Sequence, residues 1–201
     1  MNIYIIQIII YLGFAVFYTI FLIFMLFQLY YMIHPYKICL LSTNMKTVAP
    51  KLLEVIRQEV LDTTNTTLIE IGAGKAVVSR YLSKQFQWKR VIGVEGDWMT
   101  YWTAIFMIKL VGAKVNMVRR NIYKYQMPEG AKVIYNYMSV PIIQRMYDEG
   151  RLDGALVFNL TFRIQGVEPM KVIPIDTFQK ELLVYDFRKK TKSNSSQPSV
   201  I

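Results

Sequence analysis

A strand, a glycine turn and an amphipathic helix follow one another in Thr66–Lys84, TTLIEIGAGKAVVSRYLSK, and this succession restricts the chain to an α/β fold. Thr67 to Ile71 reads as the strand, Gly72-Ala73-Gly74 as the turn, and about Lys75 to Lys84 as the helix. Glycines let a backbone turn tightly and approach a ligand closely, and the helix N-terminus beside them offers free N–H groups. An acidic residue, Glu70, sits at the end of the strand. A second, Glu95, closes the next apolar strand, Val91-Ile92-Gly93-Val94, and is followed by Gly96. Glu95 lies 25 positions beyond Glu70 (95 − 70), where a carboxylate can reach a ribose in a βαβ unit and accept from both hydroxyls. A glycine turn alone is compatible with an ordinary βαβ unit; with Glu95 at this spacing it describes a nucleoside-cofactor site.

Two cofactor classes compete for such a site. A dinucleotide fingerprint, G-x-G-x-x-G/A, would place Val77 at its sixth position, where helix must pack tightly on strand. The pattern acidic-x-G-x-G-x-G starts at Glu70, matches through Gly74 and has Ala76 in its last place. It resembles the first motif of class I S-adenosylmethionine methyltransferases. The resemblance implies S-adenosyl-L-methionine as cofactor, held by Glu70, Ile71, Gly72, Ala73, Gly74, Glu95 and Gly96. Glu70 suits a cofactor that carries an amino group and a sulfonium better than one that carries a pyrophosphate.

Ahead of this motif the chain changes character. Residues 1–36 contain no Asp, Glu, Lys or Arg, so the net charge of +10 belongs entirely to residues 37–201. Ile3 to Ile33 is broken by Gln7, Thr19 and Gln28 as its strongly polar residues, and as a helix it would span roughly 45 Å, beyond the roughly 30 Å hydrocarbon core of a bilayer. Tilt, or aromatic-rich ends in the interface (Tyr4 and Tyr11; Tyr30, Tyr31 and Tyr36), takes up the excess. A cleaved signal peptide would show a basic n-region, a shorter apolar core and a small-x-small site. The run is therefore expected to be a single transmembrane anchor. Lys37, Lys46 and Lys51 come soon after it, which orients the large domain to the cytoplasm with the N-terminus outside. The sequons at Asn65, Asn159 and Asn194 are read as chance matches.

His34-Pro35-Tyr36 is expected to end the anchor, and Cys39 beside it reads as a plain thiol or a palmitoylation site. One cysteine excludes an internal disulfide, and one His with one Cys leaves no His/Cys metal cluster. Thr47 reads as the N-cap of a helix from Val48 to about Leu61, with Val48, Leu52, Leu53, Ile56 and Val60 on one face. After Glu95, an apolar helix runs from about Trp98 to Val111, and its aromatic row is able to flank an adenine or to pack on the sheet or a membrane surface. Lys114 to Val118 forms the third strand. Beyond it, Asn121 and Ile122 fall where this fold commonly reads the adenine; Asn121 is equally well placed as a turn residue. Lys132 to Tyr137 is the fourth strand, Met138-Ser139-Val140-Pro141 leads into a helix to about Asp148, and Ala155 to Phe162 is the fifth strand. Lys171 to Ile175 and about Leu182 to Phe187 complete a seven-stranded sheet.

With these landmarks placed, the chain resembles small membrane-anchored class I methyltransferases that modify lysines on membrane-embedded proteins, whose studied members act on the ATP synthase c-subunit and the adenine nucleotide translocase. Segments carrying the resemblance are KTVAPKLLEVI, LIEIGAGKAVVS, VIGVEGDWMTYWTAIF, NIYKYQMPEGAKVIYNYMSVPIIQRM and GRLDGALVFNLTFRIQGVEP. Departures are Asn121 and Tyr123, where the family favours Asp and Trp, and Lys75-Ala76, where it has Asp-Gly. The resemblance implies a Rossmann-like class I methyltransferase sheet with helices on both faces, preceded by one transmembrane helix. Residues 1–36 are then the anchor, 37–188 the methyltransferase domain and 189–201 a disordered basic and polar tail. It further implies methyl transfer to a lysine of a membrane or membrane-proximal protein, a setting that includes the mitochondrial inner membrane, although an Arg-rich presequence is lacking. The junction after the fourth strand faces the transferred methyl, which makes Asn136, Tyr137 and Ser139 substrate-side candidates. That junction lacks the Asn/Asp-Pro-Pro-aromatic tetrad of base methyltransferases, and no nucleic-acid partner is expected. A lipid or quinone-like acceptor, or a catalytically silent scaffold, are the alternatives.

Overall fold

The computed structural model describes residues 3–33, 43–130, 132–175 and 181–188. The expectations for His34-Pro35-Tyr36, Cys39, Asn194 and the tail from 189 lie outside them. The chain divides into two compact units, Met1–Leu40 and Leu41–Ile201.

The first unit contains one helix, α1 (Ile3–Ile33). It is apolar on every side and its segment Tyr4–Leu26, of mean hydropathy 2.5, is wholly exposed. A helix that is apolar all round is normally buried in a core or in a membrane, and α1 is long and apolar enough to cross a bilayer. Thr19 donates its hydroxyl to Ala15 O at 2.8 Å, so this polar group needs no water along the span.

The second unit is built on a seven-stranded sheet. Its elements in chain order are α2 (Met45–Glu59), β1 (Thr67–Ile71), α3 (Val77–Gln85), β2 (Arg90–Glu95), α4 (Trp98–Val111), β3 (Asn116–Arg119), β4 (Lys132–Asn136), α5 (Val140–Asp148), β5 (Ala155–Leu160), β6 (Lys171–Pro174) and β7 (Glu181–Asp186). The strand order is β3-β2-β1-β4-β5-β7-β6. Strands β1 to β5 pair in parallel, and β7 lies antiparallel between β5 and β6. Every residue of β1 and β5 is buried, which is why these strands read as unbroken apolar runs rather than as alternating ones.

Helices cover both faces. On one, Leu68, Val133 and Tyr135 pack against Val48, Leu52 and Ile56 of α2 and Val78 and Leu82 of α3. On the other, Ile69, Ile134 and Val157 pack against Ile143 and Met146 of α5. Ala104 and Ile108 of α4 pack with Ala73, Ala76 and Met117. The chain order, with the reversal of winding between β1 and β4, puts the C-terminal ends of five parallel strands along one edge.

Several element ends differ from expectation. Asn44, not Thr47, caps α2: its side-chain oxygen accepts from Lys46 N, and the Thr47 hydroxyl donates to Asn44 O. An Asx side chain reaches the N–H two residues on, so the helix starts earlier than the hydrophobic periodicity indicates. The buried face of α2 is Val48, Ala49, Leu52, Val55 and Ile56, while Leu61 is exposed. Helix α3 starts at Val77 rather than Lys75, because Gly74 and Ala76 both take left-handed backbone (φ 54° and 53°) and hold the turn open longer. Strand β5 ends at Leu160, since Thr161 (φ 74°) turns the chain out of the sheet.

Candidate functional site

The C-terminal edge of the parallel strands, at the crevice where strand order reverses, is where open α/β sheets bind ligands. Here β1 runs out into Gly72 (φ 63°), Ala73 and Gly74. Ala73 N donates to Val94 O at 2.9 Å, pinning the turn to β2. A Cβ on Gly72 would collide with Met138 Sδ, so the step after β4 lies directly against this turn. Strand register explains that closeness: Ile71 pairs with Val94 on one side and Asn136 on the other.

Glu95 ends β2 and reaches across the crevice. Its Oε2 accepts from Gly74 N at 2.9 Å and its Oε1 from Asp97 N at 2.9 Å. One carboxylate thus ties the glycine turn to the turn that opens α4, which Asp97 caps by accepting from Thr100 N at 2.8 Å. Gly96 between them is exposed. The sequence pattern located Glu95 but not Asp97, although an acidic residue immediately before an apolar helix is a cap signal.

Glu70 is placed differently from an open ligand contact. It is buried, and its Oε2 accepts from Ser79 N at 2.8 Å, in the first turn of α3. Burial pushes its carboxyl up from 4.5 to about 7, against the opposing pull of its hydrogen bonds to the start of α3. The carboxyl therefore braces α3 from behind the glycine turn. Ala76 takes left-handed backbone (φ 53°) without a glycine's freedom. Lys75 is exposed beside it.

Beyond β3, Asn121 caps the single 3₁₀ turn Ile122–Lys124 by accepting from Tyr123 N at 2.9 Å. The turn role is thus the one the geometry displays, and Asn121 and Ile122 are half-buried next to the end of β2, where Arg120 N donates to Glu95 O. Arg151, which sequence reasoning passed over, holds this segment through donation to Ile122 O and Tyr125 O at 2.5 and 2.6 Å. Nothing in the spacing announces that contact, because 29 residues separate Arg151 from Ile122.

Asn136 is wholly buried at the end of β4. Its Nδ2 donates to Asn159 Oδ1 at 2.6 Å, and Asn159 Nδ2 donates to Phe162 O. The two asparagines are register partners on β4 and β5. Asn136 Oδ1 is a buried acceptor without a hydrogen-bond partner, an arrangement that costs free energy unless a ligand or water donates to it. Tyr137 is half-buried against the Phe162 ring at 6.2 Å, and Ser139 is exposed at the start of α5 with no capping bond from its side chain. Asn159→Ala should leave both Asn136 Nδ2 and Phe162 O unsatisfied and destabilise the unit by about 2 kcal/mol, read from the midpoint of urea denaturation. An unchanged midpoint would show that the pair carries no structural weight.

The turn, Glu95 and the orphaned Asn136 carbonyl fit an adenosyl cofactor with a cationic amino-acid end: left-handed glycine backbone for close approach, a carboxylate for hydroxyls, and a carbonyl for N–H donors.

No protein-family model matches the chain, and no curated protein matches its sequence. Solved structures do. An RNA methyltransferase from Salinibacter ruber, in complex with S-adenosyl-L-homocysteine, is similar over 74% of this chain and 97% of its own, at TM-score 0.60 and 15% identity. A point mutant of MtNAS in complex with S-adenosylmethionine is similar over 74% of this chain and 68% of its own, at TM-score 0.52 and 15% identity. The second unit thus has the Rossmann-like fold found in S-adenosylmethionine-dependent methyltransferases.

Proposed function

We propose that this chain is an S-adenosylmethionine-dependent methyltransferase held at a membrane by α1, and that it transfers methyl to a lysine side chain of a membrane or membrane-proximal protein. The observation that carries the cofactor assignment is the Glu95 carboxylate bridging Gly74 N and Asp97 N at the crevice of a methyltransferase-type sheet. The Salinibacter ruber and MtNAS structures contain the demethylated product and the cofactor respectively. When bound, S-adenosylmethionine supplies a methyl group on a sulfonium.

The chain's own residues would do the rest. Glu95 would accept from the ribose hydroxyls, the Gly72–Gly74 backbone would face the amino-acid end, and Asn121 with Ile122 would border the adenine. Asn136 Oδ1 would accept from an ammonium or amine N–H. Tyr137 and Ser139, beside it, would orient the acceptor. Alignment of a neutral amine and exclusion of water suffice for an in-line displacement, so no general base is assigned. The lysine assignment is supported by the resemblance of the segments around Glu70, Glu95 and Asn136, and by the apolar α1, which would concentrate the enzyme where such proteins reside.

The test is calorimetric titration of S-adenosylmethionine and S-adenosylhomocysteine into the full chain in detergent, followed by labelled-methyl transfer in membrane extracts. Micromolar binding with label on protein lysines is the expected result. Label on extracted lipid would replace the lysine assignment, and no binding by a folded chain would leave a silent scaffold.

A further inference from the structure

Helix α4 is apolar all round, yet only one side of it meets the sheet. Ala104 and Ile108 are buried against Ala73, Ala76 and Met117. On the opposite side Trp102, Phe106 and Leu110 are 58%, 63% and 67% exposed, and Trp98 continues the row at 48%. Spaced four residues apart, these side chains form one slowly winding stripe, roughly 18 Å long at the rise of an α-helix. A contiguous exposed apolar patch of this kind marks a surface that meets something other than water.

Three observations identify the occupant as a lipid bilayer. Tryptophan and tyrosine are the residues that favour the membrane–water interface, and Trp98, Tyr101 and Trp102 stand at the N-terminal end of α4. The helix contains no acidic residue, and the exposed Lys109 in its last turn and Lys114 just beyond it complement an anionic leaflet. The exposed hydroxyl within the stripe, Thr103, donates to Met99 O at 2.9 Å and so needs no water, as Thr19 does in α1. We infer that α4 is a second, interfacial membrane contact, through which the α/β unit itself rests on the lipid surface. The stripe begins three residues after Glu95, so this contact sets the mouth of the cofactor crevice at headgroup level, whatever reaction occurs there.

The chain has three tryptophans, and α1 has none, which supplies the assay. Trp88 lies against Phe86 and donates to Leu82 O; Trp88→Phe leaves Trp98 and Trp102 as the reporters. The full-length Trp88→Phe chain is reconstituted in phosphatidylcholine–phosphatidylserine vesicles with bromine on the acyl chains. Most of the tryptophan emission should be lost relative to unbrominated vesicles, with a blue shift and protection from aqueous iodide. In the further variant Phe106→Glu with Leu110→Glu, whose fold is checked by circular dichroism, lipid quenching should fall severalfold and iodide access return. Emission open to iodide and indifferent to brominated lipid would overturn the inference. So would emission protected from iodide yet indifferent to bromine, which would instead make the stripe a contact between copies of the chain.

Discussion

Glu95→Ala is expected to weaken S-adenosylmethionine binding about a hundredfold, because the two charge-assisted hydrogen bonds proposed to the ribose hydroxyls would together be worth about 3 kcal/mol. Glu95→Gln, which keeps one acceptor oxygen but no charge, should lose about tenfold. With the proposed contact to the ribose, S-adenosylhomocysteine and adenosine should be weakened by the same factor as S-adenosylmethionine. Loss shared by S-adenosylmethionine and S-adenosylhomocysteine but not by adenosine would place Glu95 at the amino-acid end and sink the ribose assignment. The alanine variant also removes the link between Gly74 N and Asp97 N, and a thermal melt of each variant separates a disordered turn from a missing ligand contact.

The second large effect is on stability. Glu70 is buried with its carboxyl raised from 4.5 to about 7, so the folded chain holds that proton more tightly than the unfolded one. The contribution is fully present below about pH 4.5, falls as pH rises toward 7 and is absent above, a total of about 3 kcal/mol. Urea denaturation of the full chain in detergent should therefore show stability decreasing across this window. Glu70→Gln, which retains an acceptor for Ser79 N, should remove most of the slope. A slope that survives the substitution would assign it to another group. The exposed Asp62 and Glu149 carboxyls, lowered by hydrogen bonds from Thr64 and Arg145 respectively, act below this window and with opposite sign.

The sheet was legible in the sequence because its parallel strands are buried on both faces and read as short apolar runs between glycine or polar turns. The pair Glu70 and Glu95 was legible as a spacing, but not the difference between them. Both are acids at strand ends, and only the packing of α3 over β1 turns Glu70 inward while Glu95 faces the crevice. Asn159 was visible as a polar residue in an apolar run; its partner Asn136 emerges only from β4–β5 register. The stripe on α4 was visible as an apolar helix, yet a one-dimensional pattern does not say which half of such a helix the sheet leaves bare. Asn44 and Ala76 escaped for a local reason: caps depend on backbone angles that hydrophobic periodicity does not encode.

The position of β7 has a consequence for biosynthesis. Among the described residues it is the last strand in chain order, yet it lies inside the sheet, between β5 and β6. On the ribosome, α1 and β1 to β6 are made before the strand that closes the sheet. Until then β5 presents an open edge of buried-type side chains, and β6 has no partner at all. A nascent chain in this state is sticky along that edge, so the interval before Glu181–Asp186 clears the exit tunnel is when it most needs a chaperone. A stop codon between β6 and Glu181 would make that interval permanent, and the cell would meet the product as a substrate for proteolysis.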